Sequence, residues 1–110
     1  MAFTTTFTDP APARAAIDAL QGPVVLEFGT AWCGFCRAAQ PLIAAAFEPH
    51  AGVDHIKVED GSGRPLGRSF GVKLWPTLVF LQDGREVARL VRPEDTRSIA
   101  QAFASLDADA

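Results

Sequence analysis

The chain's two cysteines stand two residues apart in Trp32-Cys33-Gly34-Phe35-Cys36, directly after the apolar run Val24-Val25-Leu26-Glu27-Phe28. At the start of a helix, a C-x-x-C pair can close a disulfide between neighbours while leaving the first sulfur exposed. The unpaired N–H groups of the first turn then stabilise that sulfur as a thiolate. The pair therefore reads as a redox centre. Half of a zinc site has the same spacing, but zinc needs two further ligands. Only His50 and His55 remain, beyond the helix and far from Cys33 in sequence, so no metal is expected and neither histidine is assigned a catalytic role. Glu27 is the other conspicuous group. A carboxylate inside an apolar strand either faces water or is buried, and buried it costs several kcal/mol unless paired or protonated.

These residues need a scaffold, and the chain alternates strand and helix patterns without repeats or an obvious linker. Phe3 to Phe7 alternates apolar residues with Thr and predicts a short edge strand. Asp9-Pro10 offers an N-cap and a first-turn proline for an alanine-rich helix that Gly22-Pro23 stops. Val24 to Phe28 reads as a buried strand, and Gly34 to about Phe47 as a helix carrying Pro41, which removes a hydrogen bond. Val53 to Val58 is the next strand, parallel to the previous one if that helix is a crossover. A short helix from Pro65 to Phe70 precedes Thr77 to Leu81, a turn at Asp83-Gly84, and Glu86 to Val91, an antiparallel hairpin. Pro93 to Leu106 closes the chain as an amphipathic helix. The predicted architecture is α/β: a five-stranded mixed sheet flanked by four helices.

Composition excludes several functions. With 110 residues, 48% of them hydrophobic, the chain suits one domain spanning 1–110 and one core. A net charge of −3 with both signs mixed along the chain gives no nucleic-acid footprint. Met1 to Pro10 lacks the basic and apolar regions of a signal peptide. No apolar run approaches the ~20 residues that span a bilayer. A cytoplasmic monomer is the resulting expectation, in a compartment where an adjacent thiol pair is more often catalytic than structural.

The chain resembles thioredoxin over nearly its whole length. The matching positions are the strand Val24 to Phe28, Trp32-Cys33-Gly34-x-Cys36, Pro41, Lys57, Gly71, Pro76-Thr77 and the hairpin Gly84. The resemblance implies that Cys33, facing solvent, attacks a client disulfide and that the more buried Cys36 releases the product. It also implies that Glu27, where the family carries a buried aspartate, moves the proton of the second cysteine with Lys57 as its partner. A cis bond from Trp75 to Pro76 would present backbone to an extended client beside the cysteines. Trp32, Gly34, Phe35, Trp75, Pro76 and Thr77 are the implied client-binding residues.

Three positions depart from that pattern. Gly34-Phe35 stands where the family has Gly-Pro, which suggests a potential of roughly −270 to −180 mV. Gly29 replaces an aromatic residue, and Arg92 replaces a glycine at which substrate and reductase approach. Both are expected on the contact surface. Arg85, Arg89, Arg92 and Arg97 together are read as a solvated face. The function expected is a thiol-disulfide oxidoreductase that reduces or exchanges disulfides in client proteins. The dithiol itself would replace any bound cofactor, and a separate reductase or thiol pool would supply electrons. The alternative is an adaptor of the same fold with little redox turnover.

Overall fold

The computed structural model describes residues 3–106. Helix α1 (Arg14–Asp18) leads into strand β1 (Pro23–Gly29), followed by α2 (Gly34–Phe47), β2 (Asp54–Glu59) and α3 (Pro65–Ser69). The hairpin β3 (Thr77–Gln82) and β4 (Arg85–Val91) and helix α4 (Thr96–Phe103) complete the described chain. The sheet order is β2-β1-β3-β4, with β1 and β2 parallel and the other pairs antiparallel. Among the described residues no helix is long and apolar enough to cross a membrane.

Strand alternation sorts the core into two layers. Val25, Leu78 and Phe80 pack beneath α2 and α4 with Ile43, Phe47, Ile99 and Phe103. Val24, Leu26, Phe28, Val79 and Leu81 point the other way, toward Ile17, Leu66 and Phe70. Phe103 anchors the first layer, with ring centroids 4.9 Å from Phe47 and 5.3 Å from Phe80, both edge-on. Two residues from Val25 on the same face of β1, Glu27 is thereby aimed under α2. The parallel register sets Val25 against His55 and Glu27 against Lys57, so both β2 side chains emerge beside it.

The sheet has four strands, not the five expected. The segment from Phe3 to Phe7 contributes one parallel bridge, Phe7 with Lys57. Its amides are diverted to side chains: Thr4 N–H donates to His55 Nδ1 at 2.9 Å, and Thr6 N–H to Thr4 Oγ1 at 3.1 Å. The first helix also begins later than Asp9-Pro10 suggests. Pro12 disfavours helical backbone at Ala11, so the helix starts after Ala13, which supplies no side-chain cap. At the other end, Arg92 has φ 50, which breaks the chain away from β4, and Asp95 caps α4 by accepting the Ser98 N–H at 2.7 Å. The hairpin turn at Asp83 and Gly84 has φ 53 and 80, the positive pair that a tight two-residue connection requires.

Phe103→Ala should cost about 3–5 kcal/mol in urea unfolding, since it empties a closed aromatic cluster. Val87→Ala on the exposed face of β4 should change stability by no more than about 0.5 kcal/mol.

Candidate active site

Cys33 is the N-cap of α2, with extended backbone and a sulfur that accepts the Cys36 N–H at 3.2 Å. Helix geometry thus aims an orphan amide of the first turn at the first cysteine and sets the second one turn inside. Both cysteines are free thiols. Cys33, expected to face solvent, is 7% exposed against 5% for Cys36, because it is tucked against the 74–76 turn with Sγ 4.0 Å from the Trp75 carbonyl oxygen. The two sulfurs differ in their surroundings more than in their exposed fraction. Burial pushes the Cys36 thiol up to about 12, aided by the bond to Cys33 and the negative charges of Cys33 and Glu27, against a lowering bond from the Thr30 backbone.

Glu27 is buried, and both of its oxygens are engaged. Oε1 lies 2.7 Å from His55 Nε2, while Oε2 accepts from Gln40 Nε2 at 2.8 Å and lies 3.7 Å from Lys57 Nζ. Because Nδ1 of His55 receives the Thr4 amide, Nε2 carries the hydrogen that Glu27 accepts. Lys57 Nζ also donates to Gln40 Oε1 at 3.0 Å, and Gln40 Nε2 lies 3.2 Å from the Cys36 carbonyl. Gln40 therefore ties the carboxylate directly to the helix turn that carries the second cysteine. Burial alone would raise the Glu27 pKa. The His55 hydrogen bond, the Lys57 charge and the Gln40 bond outweigh it and hold the carboxyl below the usual glutamate range.

Sequence reasoning assigned Glu27 and Lys57 to this cluster but missed His55 and Gln40. Both were legible in principle: His55 shares the period-two face of β2 with Lys57, and Gln40 lies one helical turn after Cys36. His55 does not sit apart from the dithiol as expected. It stacks on Phe47 at 4.7 Å and reaches the acid beneath the helix. His50 stays outside the cluster, stacked on Phe103 at 4.2 Å.

The rim is aromatic. Trp32 and Phe35 are 69% and 58% exposed, and Trp32 meets Trp75 edge-on with centroids 5.7 Å apart. The Trp75–Pro76 bond is cis, and Trp75 Nε1 donates to Asp60 Oδ2 at 2.8 Å, which orients the indole. Gly34 is exposed in the first turn, where an added Cβ would meet open space. Thr77, expected to touch clients, is instead buried, its hydroxyl donating to the Leu74 carbonyl at 2.6 Å. It shapes the turn from within. Gly29 is not on the contact surface either. It is buried at the end of β1, where a Cβ would stand 2.6 Å from the Cys36 sulfur, so its lack of a side chain makes room for the second thiol.

Two outcomes follow from these contacts. Gly29→Ala should displace the Cys36 sulfur and slow release of a mixed disulfide by about tenfold or more, read by quenched-flow mass spectrometry. Stability that wild type gains over Glu27→Gln should be fully present above the ordinary glutamate pKa. It should be lost as pH falls through the depressed folded value, because a carboxyl with a lowered folded pKa binds protons more readily when unfolded. Paired urea titrations across acid pH would read that loss directly.

A protein-family model described as Thioredoxin matches residues 6–105. Among solved structures, thioredoxin 2 from Pseudomonas aeruginosa PAO1 in its reduced form is 56% identical, covers 98% of this chain and 100% of its own, and superposes with a TM-score of 0.86. The thioredoxin of Chlamydia pneumoniae is 37% identical over 76 residues, 67% of this chain and 72% of that protein. The H-type 1 thioredoxin of Nicotiana tabacum is 35% identical over 68 residues, and the match spans 62% of this chain but only 54% of that longer relative. An adaptor with little redox turnover is not favoured by this kinship or by the paired thiols. The chain belongs to the thioredoxin family, as a thiol-disulfide oxidoreductase.

Proposed function

We propose that the protein is a protein-disulfide reductase, with Cys33 as the attacking thiolate and Cys36 as the resolving thiol. One observation supports this assignment above the others. A helix-capping sulfur sits beside an exposed aromatic rim and a backbone carbonyl, with a second thiol of pKa about 12 directly behind it. In the first step, Cys33 sulfur bonds to one client sulfur, the client S–S bond breaks and its other sulfur leaves as thiolate. In the second, Cys36 loses its proton and attacks the Cys33 sulfur, and the remaining client sulfur departs. The client gains two electrons and the protein closes a Cys33–Cys36 disulfide. A separate reductase or low-molecular-weight thiol pool then returns two electrons.

Glu27 takes the Cys36 proton in this scheme. Its carboxylate is held ionised and so has room for a proton, a transfer that stays uphill until Cys36 bonds to the Cys33 sulfur, and Gln40 couples it to the Cys36 turn. His55 and Lys57 are positioning residues that hold the anion. No cofactor beyond the dithiol is required. Trp32, Phe35 and Trp75 supply apolar contact to the client, and the edge of the 74–76 turn offers backbone to an extended segment. The protein acts as a monomer in a reducing compartment, such as the cytoplasm.

Insulin reduction should be abolished by Cys33→Ser, while Cys36→Ser should accumulate a covalent Cys33–client adduct visible by mass spectrometry. Reversible two-electron behaviour in glutathione buffers, followed by Trp32 and Trp75 fluorescence, should give a potential between about −270 and −180 mV. Absence of such a transition would overturn the reductase assignment. Iodoacetamide at pH 8 should label Cys33 and spare Cys36, whose thiol stays protonated far above that pH.

A further inference from the structure

Arg92 leaves the solvated face on which the sequence set it. Arg89 is paired with Glu86, and Arg85 and Arg97 are exposed, but Arg92 folds back over the dithiol. Its backbone lies at φ 50, a region that favours glycine, and its N–H donates to the Pro76 carbonyl at 2.8 Å. From there Nε donates to the Trp75 carbonyl at 2.9 Å, the same oxygen that lies 4.0 Å from Cys33 Sγ. The guanidinium carbon sits 3.9 Å above the centre of the exposed Phe35 ring.

The charge so placed is not neutralised. Among the described residues the ion pairs of the cationic side chains involve Arg14, His55, Lys57, Arg64 and Arg89, and none involves Arg92. Glu94 shares with Arg92 an open groove of about 480 Å³, bounded by Phe35, Ala38, Leu42 and Pro93, without forming an ion pair to it. A half-buried guanidinium is thus pinned by one donor, with its Nη groups uncommitted, over the entrance to the reactive sulfur.

We propose that Arg92 is a specificity residue that selects client segments carrying an aspartate or glutamate beside the disulfide cysteine. This rests on the reductase assignment above. An extended client approaching Cys33 would donate a backbone N–H to the Trp75 carbonyl, where the Arg92 Nε already occupies one of the two lone pairs. A neutral client must share that oxygen with a cation to which it offers no partner. An acidic client gains in exchange a carboxylate–guanidinium pair with the free Nη donors, in the planar geometry that arginine favours. The apolar stretch of the groove accepts the neighbouring side chains of the same segment.

The test uses one disulfide-cyclised peptide sequence with Glu, Gln or Lys placed in turn on either side of one cysteine. Second-order reduction rates are measured with the reduced wild-type protein, Arg92→Gly and Arg92→Lys. Glycine suits the positive φ, and lysine keeps the charge without the planar fork. Wild type should reduce the best Glu peptide about five- to tenfold faster than its Gln counterpart, and the Lys peptide slowest. Added salt should shrink the spread. In Arg92→Gly the Glu:Gln ratio should fall to within twofold, with Arg92→Lys between the two. Equal rates for all peptides with wild type, or an undiminished ratio in Arg92→Gly, would overturn the role of Arg92 and leave the reductase assignment standing. Failure of wild type to reduce any of the peptides would overturn both.

Discussion

A carboxylate buried under the first turns of α2 is the constraint around which this molecule is organised. Glu27 lies in the central pair of strands, between a parallel and an antiparallel neighbour, on the face that the longest helix must cover. Left alone, a charge there would cost several kcal/mol or be neutralised. Its neighbours are arranged to prevent that: an imidazole N–H on one oxygen, an amide and an ammonium on the other. These groups come from β2, α2 and, through Thr4, the N-terminal segment, so the strand register, the crossover helix and the N-terminal residues are all bound by one requirement. The same anion lies close enough to the second thiol to help keep it protonated.

The dithiol is asymmetric although its two sulfurs are almost equally covered, because burial, the Cys33 bond and nearby negative charge all act on Cys36. Both sulfurs are covered, yet one caps a helix and accepts an amide while the other sits among groups that oppose its ionisation. In the proposed scheme, bond formation at Cys33 takes the attacking thiolate's charge away from beside Cys36. The proposed first step would in this way prepare the second. Gly29 is part of the same design, since the space that a side chain would fill is taken by the resolving sulfur.

Much of this was legible in the chain itself. The run Val24 to Phe28, the Cys33 and Cys36 spacing and the Asp83-Gly84 turn specify strand, helix start and hairpin through local rules of alternation, capping and turn geometry. Those rules fail where side chains compete for backbone donors. The edge strand at Phe3 to Phe7 is absent because Thr4 bonds an imidazole, and that imidazole looked peripheral because its partner lies on a neighbouring strand. His55 and Gln40 became visible only once register and helix phase placed them beside Glu27. Arg92 was legible as a contact-surface residue from the glycine position it occupies, but not from composition, which sets an arginine in a charged stretch in solvent; a left-handed residue after β4 turns it back onto the site.

The irregular N-terminal segment carries more weight than its lack of structure suggests. Thr4 fixes the ring nitrogen of His55, Thr8 N–H donates to the Lys57 carbonyl at 2.8 Å, and the Phe7 ring lies 4.8 Å from the Lys57 ammonium. Both β2 groups that hold the Glu27 anion are thus braced by residues 25 to 29 positions before the first cysteine. Proteolytic loss of the segment through Thr8 would leave every sulfur and every strand in place. It would nonetheless release the imidazole tautomer, let water reach the carboxylate and detune proton transfer in an otherwise intact redox centre. An apparently dispensable arm is in this sense a remote component of the thiol chemistry.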